Sequence, residues 1–70
     1  MKTKRELIEE IHLSLVNGQR KQAVIQIDEY GLYEFWEDYH IYLADLYPDI
    51  VAKYAYFSDA AINYFRIKKR

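Results

Sequence analysis

The chain has 70 residues and a formal net charge of -1, from ten lysine and arginine residues against eleven aspartate and glutamate residues. This length suits one small domain, so we expect a single domain over residues 1–70. The lack of cysteine excludes a disulfide framework and a thiolate zinc site, and the near-neutral charge argues against a dedicated nucleic-acid binder.

The first predicted helix covers residues 4–17. Thr3 followed by Glu6 matches a capping box, and Asn17 with Gly18 is typical of the end of a helix. Apolar residues recur between these signals at the spacing of one helix face. The predicted core residues of this helix are Leu7, Ile8, Ile11 and Leu15.

Two further helices are predicted over residues 19–30 and 32–47. Gly31 separates them at a position that favours glycine, and Pro48 ends the second of them. The first has a narrow apolar stripe, made of Ala23, Val24 and Ile27. The second has a broad apolar arc that we expect in the core, made of Leu32, Phe35, Trp36, Tyr39, Leu43, Leu46 and Tyr47.

The last predicted helix covers residues 49–67, with Asp49 at its N-cap. Its predicted core residues are Ile50, Tyr54, Phe57, Ala61 and Phe65. Basic residues follow at its C-terminal end, where positive charge suits the helix dipole. Because no segment shows strand alternation, the four helices predict an all-α fold, a compact bundle with tight connections.

Charge is unevenly distributed along the chain. Lysine and arginine are absent between Lys21 and Lys53, and this segment has seven acidic residues, a charge of -7, among seven aromatic residues. Carboxylates of such a surface would steer association with a basic partner, and aromatic side chains would anchor it. The predicted partner-binding residues are Tyr33, Glu34, Glu37, Asp38, Ile41, Tyr42 and Asp45. The alternative is that the aromatic residues form the core and the acids a solvated face.

Some apolar side chains point away from the predicted core. Leu13 and Ile25 lie off the stripes of the first two helices, and Tyr56 and Ile67 share the outer side of the last helix. Single exposed apolar residues are normal, whereas a continuous patch indicates a partner. A homodimer contact through Leu13, Ile25 and Tyr56 is therefore one interpretation, and scattered exposure is the other.

Motifs for catalysis or metal binding are not found in the sequence. Glu9 and His12 have the spacing of a carboxylate metal bundle, but such sites need the motif twice, and no second copy exists. Neither a phosphate-binding glycine loop nor a nucleophile motif is present. We therefore expect no enzyme, no catalytic residue, no metal and no cofactor.

One motif indicates nucleic-acid binding. The first two helices and the turn between them resemble a helix–turn–helix, in which polar side chains open the recognition helix. The candidate contacts are Gln19, Arg20 and Lys21. Together with the basic C-terminal tail, which ends at Arg70, they define the alternative function, a small DNA-binding regulator. The same helix ends in two acidic residues, which favours an ordinary polar first turn instead.

The runs NGQRKQA at 17–23 and YGLYEFWEDY at 30–39, with YFRI at 64–67, resemble small accessory proteins of phages and prophages. The resemblance implies a non-enzymatic inhibitor that binds a host protein or protein–nucleic acid complex. Anti-CRISPR and other anti-defence inhibitors are similar in size and in lacking an active site. Since no targeting signal or membrane span is visible, we expect a soluble protein of the bacterial cytoplasm.

Overall fold

The chain folds into helices joined by very short connections. The computed structural model describes residues 1–69, which contain four helices: α1 (Lys4–Val16), α2 (Arg20–Tyr30), α3 (Leu32–Leu46) and α4 (Ile50–Lys68). The predicted all-α fold is confirmed, and each predicted helix end agrees with the structure to within one residue.

Local hydrogen bonds and backbone geometry explain where the helices begin and end. The Thr3 hydroxyl accepts a hydrogen bond from the Glu6 backbone N–H at 3.2 Å, and the Glu6 carboxylate accepts one from the Thr3 N–H at 3.3 Å. This reciprocal capping box satisfies backbone donors that a helix start leaves free. The chain reverses at Gly18 and Gly31, whose φ angles of 78° and 107° favour glycine. Asp49 caps α4 by accepting from the Val51 N–H at 2.9 Å.

The hydrophobic core lies where α2 meets the other three helices, while α1 and α4 each also pack on α3. Three of the predicted stripes are largely confirmed, since their central residues are buried: Ile8, Ile11, Leu15, Ala23, Val24, Ile27, Phe35, Tyr39 and Leu43. The prediction was wrong for two core residues, Leu7 and Leu46, because they lie at the edges of their stripes and remain exposed.

The predicted core face of α4 was mostly wrong. Ile50, Tyr54 and Phe65 are all exposed to half or more of their surface, and only two members of the predicted stripe are even partly buried. The face that packs on the core consists instead of Phe57, Ala60, Tyr64 and Ile67, so Ile67 is not on the outer side as predicted. Apolar residues surround most of α4, so the helical period fits two stripes, and packing against α2 and α3 selects one.

Candidate protein-binding surface

The solvent side of α3 carries five of the seven predicted partner-binding residues. We call this surface the α3 outer face, and it consists of Tyr33, Glu34, Glu37, Ile41 and Asp45. These positions lie on one side of the helix because they are spaced by three or four residues, opposite the buried stripe. Tyr33 is 84% exposed and Ile41 is 59% exposed, so both apolar side chains are available to a partner.

The basic residues of α1 partly neutralise the α3 outer face. Arg5 donates a hydrogen bond to the Asp45 carboxylate at 3.1 Å, and the Lys4 ammonium lies 3.9 Å from the Glu34 carboxylate. All four side chains are exposed, so each ion pair adds at most about 1 kcal/mol to stability. Glu37 has no ion pair within residues 1–69, which makes it the uncompensated negative charge of this surface.

Two predicted partner-binding residues serve the fold instead. The prediction of Tyr42 as a surface residue was wrong, because Tyr42 is buried. The Arg5 guanidinium lies over its ring, 5.0 Å from the ring centre. Its spacing from Phe35 and Tyr39 places it on the buried stripe of α3. Asp38 is half-buried and accepts a hydrogen bond from the Tyr30 hydroxyl. Burial and this neighbouring carboxylate raise the pKa of Tyr30.

An apolar hollow borders the α3 outer face on the side of α4. It is lined by Trp36, Glu37, His40, Ile41 and Phe57. The Phe57 ring meets the Trp36 and His40 rings edge to face, with centroid distances of 5.4 and 5.7 Å. The lining is mostly apolar, with the charge of Glu37 beside it.

The three predicted dimer residues lie on three different helices. Leu13 and Ile25 are exposed, each on the side of its helix opposite the buried stripe. Tyr56 is also exposed, to 38% of its surface, and its ring stacks on Tyr47 at 4.7 Å and meets the edge of His12 at 5.5 Å. Tyr56 therefore packs on its neighbours in the bundle and also leaves part of its ring open to solvent.

The candidate nucleic-acid contacts Gln19, Arg20 and Lys21 are all exposed at the start of α2. The solvent side of this helix also carries Asp28 and Glu29, which would face the phosphate backbone in a groove. Of the basic tail, Lys68 already pairs with Asp28 at 2.8 Å, and Arg70 lies outside the described residues. The surroundings of the motif are therefore mixed in charge.

A buried histidine inside a ring of tyrosines was missed by the sequence analysis. His12 Nδ1 lies 2.8 Å from the Tyr39 hydroxyl, and Nε2 lies 3.3 Å from the Tyr47 hydroxyl. A neutral imidazole donates through one nitrogen and accepts through the other, so both tyrosines are satisfied. Burial lowers the pKa of His12, which keeps the ring neutral. The signal in the sequence was the position of His12 between Ile8 and Leu15 on the apolar stripe of α1.

Comparison with protein-family models, curated proteins and solved structures finds no match to this chain. Within residues 1–69, no three histidine, aspartate or glutamate side chains converge as metal ligands. None of the described helices has the length and hydrophobicity needed to cross a membrane.

Proposed function

We propose that this chain is a non-enzymatic protein-binding module that docks its α3 outer face on a basic surface of another protein. The observation that carries the proposal is an exposed tyrosine beside an unpaired carboxylate and an apolar hollow. Tyr33 supplies a large rigid anchor, and Glu37 supplies the charge that steers association. Ile41, one helical turn beyond Glu37, adds a second exposed apolar side chain.

The charge pattern supports a partner with a positively charged groove. Glu34 and Asp45 are held by α1, and a cationic partner would compete with Lys4 and Arg5 for these carboxylates. Proteins that bind nucleic acid carry such basic grooves. The resemblance to small phage accessory proteins fits an inhibitor that occupies the groove of a host defence machine, in the manner of an anti-CRISPR protein.

The test is affinity capture from a bacterial host lysate with wild-type chain and surface variants as bait. We expect Tyr33→Ala to weaken binding of the captured partner by about 30-fold, the loss of about 2 kcal/mol typical of an aromatic anchor. Glu37→Lys should slow association most strongly at low salt, because salt screens the attraction. Glu29→Lys on α2 is the matched control, since it makes the same charge change on a different helix.

Equal binding of the partner by wild type and the α3 variants would contradict the proposal. A partner that binds wild type, Tyr33→Ala and Glu37→Lys with equal affinity does not use the α3 outer face. Loss of binding in Glu29→Lys but not in Glu37→Lys would place the interface on α2.

A further inference from the structure

A continuous uncharged face runs along the solvent side of α4. We call it the α4 outer face, and its large side chains are Ile50, Val51, Tyr54, Ile62 and Phe65, with exposures from 50% to 76%. Small residues occupy the middle of the same face, namely Ala55, Ser58 and Ala61. The charged residues of this stretch start from other sides of the helix. Lys53 turns toward His40, 3.4 Å away, and its ammonium lies 5.0 Å from the centre of the Tyr54 ring, while Asp59 lies about 100° around the helix from Ser58.

The α4 outer face is large enough to form an interface. At the observed exposures, its five large side chains leave on the order of 500 Å² of accessible surface. The largest apolar patch of a typical monomer covers about 300–600 Å², and one side of a standard protein interface buries about 800 Å². The face and its edges therefore supply most of the accessible surface that one side of a stable dimer buries.

We propose that the α4 outer face binds a second copy of this chain, with the two α4 helices antiparallel about a two-fold axis at Ser58. The face is self-complementary about this residue. Val51 and Phe65 lie seven positions before and after Ser58, and Tyr54 and Ile62 lie four before and after it. In an antiparallel pair Val51 meets Phe65 of the other copy and Tyr54 meets Ile62, which is the reciprocal contact of a two-fold dimer.

The small residues at the centre allow the two helices to approach closely. Ala55 and Ala61 lie three positions on either side of Ser58, so in the dimer they face each other across the crossing point. Short side chains there bring the helix axes toward the lower end of the usual 8–10 Å range. The large side chains above and below then pack over the partner helix.

Charge at the ends of α4 favours the antiparallel orientation. Asp49 stands at the N-terminus, and Arg66 stands in the last turn. An antiparallel pair places the N-terminal end of one α4, with Asp49, and the last turn of the other, with Arg66, at the same end of the interface. A parallel pair would instead bring the two Arg66 side chains together and align the two helix dipoles unfavourably.

This interface does not use the α3 outer face, Leu13 or Ile25, and it meets the apolar hollow only at its edge, where the Tyr54 and His40 ring centroids lie 6.4 Å apart. Its first test is the mass of the chain by sedimentation equilibrium over a range of concentrations. We expect wild type at about 100 μM to have twice the 8.5 kDa monomer mass. A monomer at every concentration up to about 1 mM would overturn the proposal and leave the face to a different partner.

The second test separates this face from other apolar surfaces. Ile62→Glu should weaken the dimer by at least about 100-fold, because it buries an unpaired charge in the interface. Ile25→Glu is the matched control, an equally apolar and similarly exposed isoleucine on α2, and should leave the dimer intact. Circular dichroism and cooperative thermal unfolding confirm that both variants remain folded. Dissociation by Ile25→Glu alone would contradict the proposal.

The third test determines whether the two α4 helices are antiparallel or parallel, by disulfide cross-linking of single cysteines placed in a chain that has none. Ser58→Cys lies on the two-fold axis, where it meets its own copy within disulfide distance, so mild oxidation should give a covalent dimer. Val51→Cys should not cross-link, because the two copies lie about 21 Å apart along an antiparallel pair. Equal cross-linking of both variants would indicate a parallel pair and overturn the antiparallel arrangement.

Discussion

Removal of one hydroxyl from the buried histidine–tyrosine network is expected to cost a large part of the stability of this chain. Tyr39 and His12 are 1% and 4% exposed, so water cannot replace a lost hydrogen bond between them. Tyr39→Phe leaves His12 Nδ1 without its partner, which costs about 1–3 kcal/mol. The total stability expected for 70 residues is only about 4–10 kcal/mol.

Substitution of the other partner, His12, completes a double-mutant cycle. His12→Phe leaves the Tyr39 hydroxyl buried and unpaired, and it also adds strain because phenylalanine is larger than histidine. The double variant His12→Phe/Tyr39→Phe removes both polar partners, so it should cost about 1–2 kcal/mol less than the sum of the single variants. The strain of the larger ring enters the single and double variants equally and cancels from this coupling energy.

Stability should also fall in mild acid through His12. Burial holds the pKa of His12 below the value of about 6.5 that the unfolded chain has. The unfolded state therefore binds more protons than the folded state below that pH. The contribution of His12 to stability is fully present above about pH 6.5 and is lost as the pH falls from there to the lowered pKa of the folded state. The loss is at most about 1.4 kcal/mol per pH unit. His12→Phe should remove this slope, while His40 is retained in every variant.

Urea unfolding monitored by circular dichroism at several pH values measures all of these quantities. Tyr33→Phe is the control, because it removes the same hydroxyl from a side chain that is 84% exposed. Additive effects of His12→Phe and Tyr39→Phe, or a Tyr39→Phe variant as stable as this control, would contradict a stabilising hydrogen bond between the two buried side chains. An unchanged acid slope in His12→Phe would assign the pH dependence to other groups.

Three further substitutions test the Tyr64–Asp28 hydrogen bond and the two ends of α1. A hydrogen bond to Asp28, together with burial, raises the pKa of Tyr64 to about 12; Asp28→Asn should lower it toward about 10, as ultraviolet titration of the phenols would show. Thr3→Ala should cost about 0.5–2 kcal/mol in urea unfolding by removing the N-cap of α1, whereas Thr3→Ser should be nearly neutral. Gly18→Ala should cost about 1 kcal/mol through backbone strain alone, since nothing lies within 4 Å of the added carbon.

The sequence predicted the helices well because their ends depend on local signals. The Thr3–Glu6 capping box, the glycines with positive φ and the Asp49 cap all act within a few residues. The buried stripe of α3 was also mostly predictable, since acidic residues occupy the opposite side and leave one choice for the core.

The errors arise where the sequence pattern allows more than one arrangement. Apolar residues lie on both the core side and the solvent side of α4, so periodicity alone could not choose between Phe65 and Tyr64. Ion pairs between Lys4 and Glu34 and between Arg5 and Asp45 connect helices that are distant in sequence. The charge segregation along the chain is therefore partly cancelled in three dimensions.

The tyrosines of the core also restrict which bundle the chain can form. Their rings pack like aliphatic side chains, but three of the hydroxyls are paired at defined positions: Tyr39 with His12, Tyr64 with Asp28 and Tyr30 with Asp38. A shift of one helix by a single turn could keep most apolar contacts, yet it would separate these pairs and leave His12 and Tyr39 unpaired in the interior. The hydroxyls thus raise the energy of misregistered bundles, and a core rich in tyrosine selects one topology where a core of leucine would tolerate several.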